Sequence, residues 1–310
     1  MVPSIDYRLT AAEFESLGTE NPELFVYAVG YEQRSSFARK FVRAKRSAAF
    51  LYGSRGRFSY DANLVAFEEL GDAGLALDLS NVASTVTEAY VARGDGRIHV
   101  VLDVSCLNKS IIAGTLAILM ELSQQVAKVS VVYVPGAFEE PALYMVPAQY
   151  FGPAIPQMAG NVGEPYKERC LIMGVGYEYG AALSAIEIIE PDRGFYFHPI
   201  GRSSKYEPAV RAANFNFDFG LGKYALQSYR VDDPVALHGR LRDVVESFLD
   251  RGTITIVPFG PKIFSSVASL LALRYPQHIS LLRYSLASTE TARDTQPDNY
   301  VVMYHINLAA

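Results

Sequence analysis

Val29-Gly30-Tyr31-Glu32 and Val175-Gly176-Tyr177-Glu178 are two copies of one short stretch. The first follows the apolar run 24–28 and the second the run 170–173. Each reads as a buried strand that breaks at a glycine into a helix. In an open α/β sheet such a turn is where ligands are held. A helix N-terminus there presents unpaired N–H groups and the positive end of its dipole. Two copies predict two similar halves, with two crevices or one crevice shared between them.

Working outward, the first half alternates strand and helix. Strands are expected over 24–29, 48–52, 75–79, 98–104 and 129–134, and helices over 35–43, 63–70, 82–92 and 109–126. The second half repeats the order. Its strands are expected over 171–175, 194–199, 226–231, 253–257 and 279–284, and its helices over 181–189, 208–213, 235–249 and 264–273. Repeated β-α units predict a parallel sheet with helices on both faces. Gly30 and Gly176, Gly53 and Gly201, and Lys109 and Lys262 recur in the same order at a spacing of about 150 residues, the period of a duplicated domain. The fold class is therefore α/β, with tandem duplicated Rossmann-like domains. The expected division is a first domain over 1–134, a Pro/Gly-rich linker or arm over 135–165, and a second domain over 166–310. The linker contains Pro135, Pro141, Pro147, Pro153, Pro156 and Pro165. Residues 300–306 alternate enough to form an added edge strand.

Composition narrows the partners. The chain has 310 residues, half of them hydrophobic and a fifth charged, which suits a globular protein with a large core. Its net charge of −5 disfavours a non-specific binder of duplex nucleic acid. No run of about 18 apolar residues suggests a membrane span, and the first residues lack a secretory signal pattern, so the cytoplasm is expected. The two cysteines, Cys106 and Cys170, read as reduced, buried thiols. No Cys/His spacing matches a zinc site, and no metal is assigned.

Three sets of residues carry chemistry. In Gly30-Tyr31-Glu32-Gln33-Arg34-Ser35 the glycine allows close backbone approach. Glu32 can accept from a sugar or amine, Arg34 can pair with phosphate, and Ser35 can cap the helix. The second copy retains Tyr177 and Glu178 but has Tyr179 and Gly180 in place of Gln33 and Arg34. The run from Gly174 to Gly180 departs by one residue from a dinucleotide fingerprint, and no cofactor is assigned on it. The second set is Asp103-Val104-Ser105-Cys106-Leu107-Asn108-Lys109-Ser110, whose counterpart is Val257-Pro258-Phe259-Gly260-Pro261-Lys262. Ser105, Asn108 and Lys109 in one turn, and Gly260 and Lys262 in the other, suit an anion nest. The third set is Ser54-Arg55-Gly56-Arg57 and Arg202-Ser203-Ser204-Lys205-Tyr206, basic loops after each second strand. A solvated loop explains them as well as a phosphate cover does.

The spacing Asp103-x-Ser105-x-x-x-Lys109 resembles the Asp-x-Thr-Gly-Gly-Thr-Lys turn of CRISPR-associated Rossmann-fold (CARF) domains. In that family a turn after the first strand, here Gly30 to Ser35, forms the other half of the site. The related SAVED domains look like two such units fused in one chain. Cys106 and Leu107 depart from the family's glycines, as do Pro258 to Pro261. The resemblance implies two halves packed about a pseudo-two-fold axis, binding a cyclic oligonucleotide as a sensor in antiviral defence. The expected function is binding of a nucleotide-type anionic ligand as a sensor or regulatory subunit, with a protein partner or homo-oligomer carrying the output. Two alternatives stand beside it. One is a nucleotide-processing enzyme with Glu32 and Glu178 as acid/base groups and the two lysines on phosphate. The other is a structural component of a larger assembly.

Overall fold

The computed structural model describes residues 6–76, 79–141, 148–160, 167–178, 180–214, 224–286, 292–298 and 300–309. Pro147 and Pro165 of the linker, Tyr179 of the second turn, residues 77–78 of an expected strand and residues 1–5 lie outside them. The chain divides into two compact units. The first comprises Ile5–Ala137 and Arg293–Ala310, and the second Phe138–Ala292.

The first unit runs β1 (Tyr7–Ala12), α1 (Leu17–Glu20), β2 (Leu24–Val29), β3 (Arg46–Leu51), α2 (Tyr60–Leu70), β4 (Ala73–Leu75), α3 (Ser80–Arg93), β5 (Ile98–Asp103), α4 (Lys109–Glu121) and β6 (Val126–Tyr133), and closes with β13 (Val302–Leu308). Its seven-stranded sheet has the order β1-β13-β6-β5-β2-β3-β4. Strands β6, β5, β2, β3 and β4 are parallel, whereas β13 is antiparallel to both β6 and β1. The second unit runs β7 (Ala148–Pro153), β8 (Glu168–Gly174), α5 (Ala181–Ile189), β9 (Arg193–Ile200), α6 (Tyr206–Ala213), β10 (Tyr224–Arg230), α7 (Pro234–Glu246), β11 (Gly252–Pro258), α8 (Lys262–Arg274) and β12 (Ile279–Leu286). Its sheet has the order β10-β9-β8-β11-β12-β7, parallel except for β7. In both units the five parallel strands stand in the order third, second, first, fourth, fifth. An antiparallel strand lies beyond the fifth. The chain is thus an α/β protein with two Rossmann-like units, each a mainly parallel sheet flanked by helices.

Local sequence explains the elements. Every residue of β2 is buried, as a central parallel strand covered on both faces requires. All residues of α8 from Ile263 to Leu273 are buried, and α4 is nearly as enclosed. Asn108 caps α4 by accepting from the Ile111 N–H at 2.9 Å, and Asp233 caps α7 by accepting from Ala236 at 3.0 Å, with Pro234 at the first helical position. The α4 helix stops at Glu121, short of the expected 126, because Ser123 and Gln125 close a turn and Val126 already enters β6.

Three expectations change. Residues 35–43 form two short 3₁₀ turns, Gln33–Ser36 and Ala38–Lys40, rather than one helix. The residues where that helix would begin are held by other partners. Gln33 N–H bonds Asp294 Oδ1 at 3.0 Å, Arg34 N–H bonds the Thr295 carbonyl at 3.3 Å, and the Ser35 hydroxyl turns back on Ala28 and Gly30. The linker over 135–165 supplies β7, which pairs antiparallel with β12 from Leu282↔Pro153 onward. The C-terminal tail, assigned with the second domain, belongs to the first unit, where β13 is inserted between β1 and β6. No helix among the described residues is long and apolar enough to cross a membrane.

Candidate functional site

Strands β2 and β5 are neighbours, so the turns at their carboxyl ends flank the switch point of the first sheet. A Cβ placed on Gly30 would lie 3.6 Å from the Cys106 Cβ and 3.5 Å from the Ser35 Oγ, ordinary contact distances. The first turn is held from within. Ser35 Oγ accepts the Gly30 N–H at 2.7 Å and donates to the Ala28 carbonyl at 2.6 Å. Asn63, on α2, donates its amide to the carbonyls of Gly30 and Glu32 at 3.0 and 2.9 Å. Arg34 is buried, with Nε 2.7 Å from Glu32 and Nη1 donating to the Val134 carbonyl at 2.9 Å. Burial works against its charge, but the Glu32 carboxylate overrides that and keeps the guanidinium protonated. In the second turn Asp103 accepts from the backbone and hydroxyl of Ser105, whose oxygen also accepts the Val134 N–H at 2.8 Å. The sequence assigned Arg34, Ser35 and Ser105 to a ligand. The structure commits those contacts to shaping the turns, because a tight strand-to-loop break leaves backbone groups that only nearby side chains can satisfy.

Other groups surround Tyr31 in the first turn. Tyr31 is half-buried, with the Arg57 guanidinium 4.8 Å from its ring centre and the Phe58 ring 5.9 Å away. Phe58 is 55 % exposed and sits at φ 45°, a left-handed conformation that a bulky residue rarely adopts. On the adjoining turn, Asn108 N–H donates to the Tyr52 hydroxyl at 2.8 Å, and half-buried Lys109 is the first residue of α4. Of the two turns only the second leads directly into an α-helix, so the helix N-terminus on this side is that of α4.

In the second unit β8 and β11 flank the equivalent switch point. Here the two turns touch backbone to backbone. A Cβ on Gly176 would fall 2.3 Å from Gly260 Cα, and one on Gly260, at φ +74°, would fall 2.4 Å from the Val175 carbonyl oxygen. Both carboxylate oxygens of Glu178 accept the Gly260 N–H, at 3.2 and 3.3 Å. Glu178 and Gly260, expected to meet a ligand, meet each other. Asn214 donates to the Gly176 carbonyl at 2.9 Å, and Tyr177 packs on the core around Leu171 and Val257. Lys262 opens α8 as Lys109 opens α4.

Sequence reasoning placed Gly30, Tyr31, Glu32, Arg34, Ser35, Ser105, Asn108 and Lys109 in one half, and Gly176, Tyr177, Glu178, Gly260 and Lys262 in the other, about two crevices or one shared between them. It missed Asn63, Asn214 and Phe58. The two asparagines recur about 150 residues apart, close to the spacing of the glycines they hold, a signal that could have found them. Cys106 is half-buried beside Gly30, whereas burial pushes the Cys170 thiol up to about 12. Among the described residues no group of three or more His, Cys, Asp or Glu side chains is placed to hold a metal ion.

No protein-family model and no curated protein matches the chain. Among solved structures it is similar to the binary complex of leucoanthocyanidin reductase with NADPH from Vitis vinifera, at 10% identity and a TM-score of 0.25, over 83% of this chain and 92% of that one. At that TM-score the likeness adds nothing to the fold described above.

Proposed function

We propose that the chain binds a nucleotide-type anionic ligand at the first crevice and acts as a sensor or regulatory subunit. A cyclic oligonucleotide is the ligand that the resemblance to CARF and SAVED domains brings. The observation that carries the reading is the pairing, at one switch point, of a stacking surface with a helix N-terminus. Tyr31, Arg57 and Phe58 offer two rings and a guanidinium plane, 4.8 and 5.9 Å apart by their centres. Such surfaces accept any nucleobase, at roughly 1–3 kcal/mol per base. Lys109 and the first turn of α4 supply charge and dipole for a phosphate. The left-handed backbone at Phe58 costs on the order of 1–3 kcal/mol, and such strain clusters at ligand sites.

The enzymatic alternative is less well supported. Its two candidate carboxylates are engaged, Glu32 with Arg34 and Glu178 with Gly260. Native mass spectrometry of the purified chain with a nucleotide library tests the reading. The expected result is a retained nucleotide adduct that is lost in Tyr31→Ala and in Phe58→Ala. A library that leaves no adduct on the wild-type chain overturns it, and product masses without substrate would favour the enzyme.

A further inference from the structure

A second basic cleft lies away from either switch point, at the carboxyl ends of β9 and β10. It has a volume of about 320 Å³ and is lined by Ile200, Gly201, Arg202, Arg230 and Asp232. We propose that this cleft is a binding site for a phosphoryl-bearing anion, such as a polyphosphate or a phosphomonoester. It is independent of the first crevice and of the reading given for it.

The argument begins with register. Ile200 and Arg230 are partners at the last rung of the β9–β10 pair, and the Val231 N–H bonds the Ile200 carbonyl at 3.0 Å. Both chains therefore leave the sheet together, and Arg202 and Asp232 follow at the same height. Arg230 grips Asp232 with two bonds of 3.0 Å, from Nε and from Nη2. Arg202 Nε lies 3.5 Å from the same carboxylate. Two guanidinium groups thus share one carboxylate, and the lining keeps one net positive charge. The Asp232 contacts hold the Arg230 fork in a fixed plane, the pre-organisation that bidentate phosphate recognition needs. Asp232 is ionised throughout the neutral range. Burial raises its pKa, but the bonds and charge of Arg230 more than reverse that, with Arg202 adding to the effect.

Position favours the same conclusion. The carboxyl ends of parallel strands are the ligand side of an open α/β sheet. Helix α7 starts two residues beyond Asp232, and Ser203 and Ser204 follow Arg202 in the loop. The corresponding loop of the first unit, after β3, carries Arg57 to Tyr31. Each unit therefore commits an arginine of this loop to a neighbouring group, Arg57 to the Tyr31 ring and Arg202 to the Asp232 carboxylate. In the second unit the turns at the switch point are in contact through Gly176 and Gly260, whereas this cleft is open.

Inorganic pyrophosphate is the probe, titrated calorimetrically into the full chain at low salt. Saturable binding is expected. Arg202→Ala and Arg230→Ala should each weaken it about tenfold, the effect of losing about 1.4 kcal/mol, near the lower end for a charge-assisted bond. Arg43→Ala, at an exposed position of the other unit, should leave it unchanged. Thermal melts of each variant report whether it is folded. Absence of binding by the wild-type chain overturns the proposal. So does full affinity in the Arg202→Ala/Arg230→Ala double variant, and binding that Lys109→Ala alone abolishes would place the anion in the first crevice instead.

Discussion

Asn63, in the first turn of α2, and Asn214, at the C-cap of α6, make the same contact in the two units, each donating its side-chain amide to the carbonyl of the glycine after the first parallel strand. The distances are 3.0 Å to Gly30 and 2.9 Å to Gly176. Both asparagines are buried. Each ties the helix after the second strand to the turn after the first. A buried carbonyl that loses its donor costs about 1–3 kcal/mol. Asn63→Ala and Asn214→Ala should therefore each lower stability by that amount in denaturant melts. Asn63→Asp should cost at least as much, since it sets a carboxylate against two carbonyls. Only the Asn63 variants should also weaken nucleotide binding. A neutral effect of both alanine variants on stability would mean that these contacts do not hold the turns.

The two glycines differ in what surrounds them. Gly30 has room for a methyl group at ordinary contact distance, and its neighbours are side chains. At Gly176 a methyl would meet the backbone of Gly260, which cannot swing away. Gly30→Ala should change stability by no more than about 0.5 kcal/mol, whereas Gly176→Ala should cost about 1–3 kcal/mol, the scale of overpacking. Comparable melting temperatures for the two variants would show that the second crevice is not closed as described.

That difference decides what the paired lysines do. Lys109 and Lys262 begin helices of equal length at equivalent switch points. Beside Lys262 the Gly260 N–H is already taken by Glu178, and the turns are in contact. Lys109→Ala should weaken nucleotide binding by roughly 1.5–3 kcal/mol, the range for a hydrogen bond to a charged group. Lys262→Ala should leave it unchanged. Calorimetric titration of both variants checks this, and equal losses would require the second crevice to open.

Much of this was legible in the sequence because backbone constraints repeat. A buried first strand that breaks at a glycine, and a fourth strand whose following helix begins at a lysine, recur in both halves. Those landmarks fixed the positions of β2, β5, β8 and β11. Side-chain commitment was not legible. Arg34 reads as a phosphate ligand in a list of residues, but the fold turns it toward Val134 and Glu32. The partner of the tail strand was equally hidden. Alternation over 300–306 marks a strand without naming its neighbour. The pairings of β13 with β1 and with β6 depend on residues nearly 300 and about 170 positions away.

The tail strand also carries the clearest pH dependence. Ser130 of β6, fully buried, lies 2.6 Å from His99 Nε2 on β5 and 2.7 Å from His305 Nδ1 on β13. Glu20 lies 3.4 Å from His99 Nδ1 and accepts from Lys128 at 2.6 Å. Burial lowers the His99 pKa to about 4, with the Lys128 charge adding to it and Glu20 opposing. The His305 pKa is lowered for the same two leading reasons. A histidine whose folded pKa lies below its unfolded value of about 6.5 takes up its proton on unfolding. Its contribution to stability is complete above about pH 6.5 and is lost as the pH falls through about 4. For His99 the full loss is on the order of 3–4 kcal/mol, at roughly 1.4 kcal/mol per pKa unit. In the second unit burial likewise brings His238 to about 4, so the wild-type chain should lose stability in both units over this window. His99→Gln removes the titrating group at the β5–β6–β13 junction. Urea melts at pH 7 and pH 4.5 should show a smaller pH-dependent loss in that variant than in the wild type. An unchanged loss would assign the acid sensitivity to His238 and its surroundings, and would mean that the half-buried pair of His99 and His305 does not link the tail strand to pH.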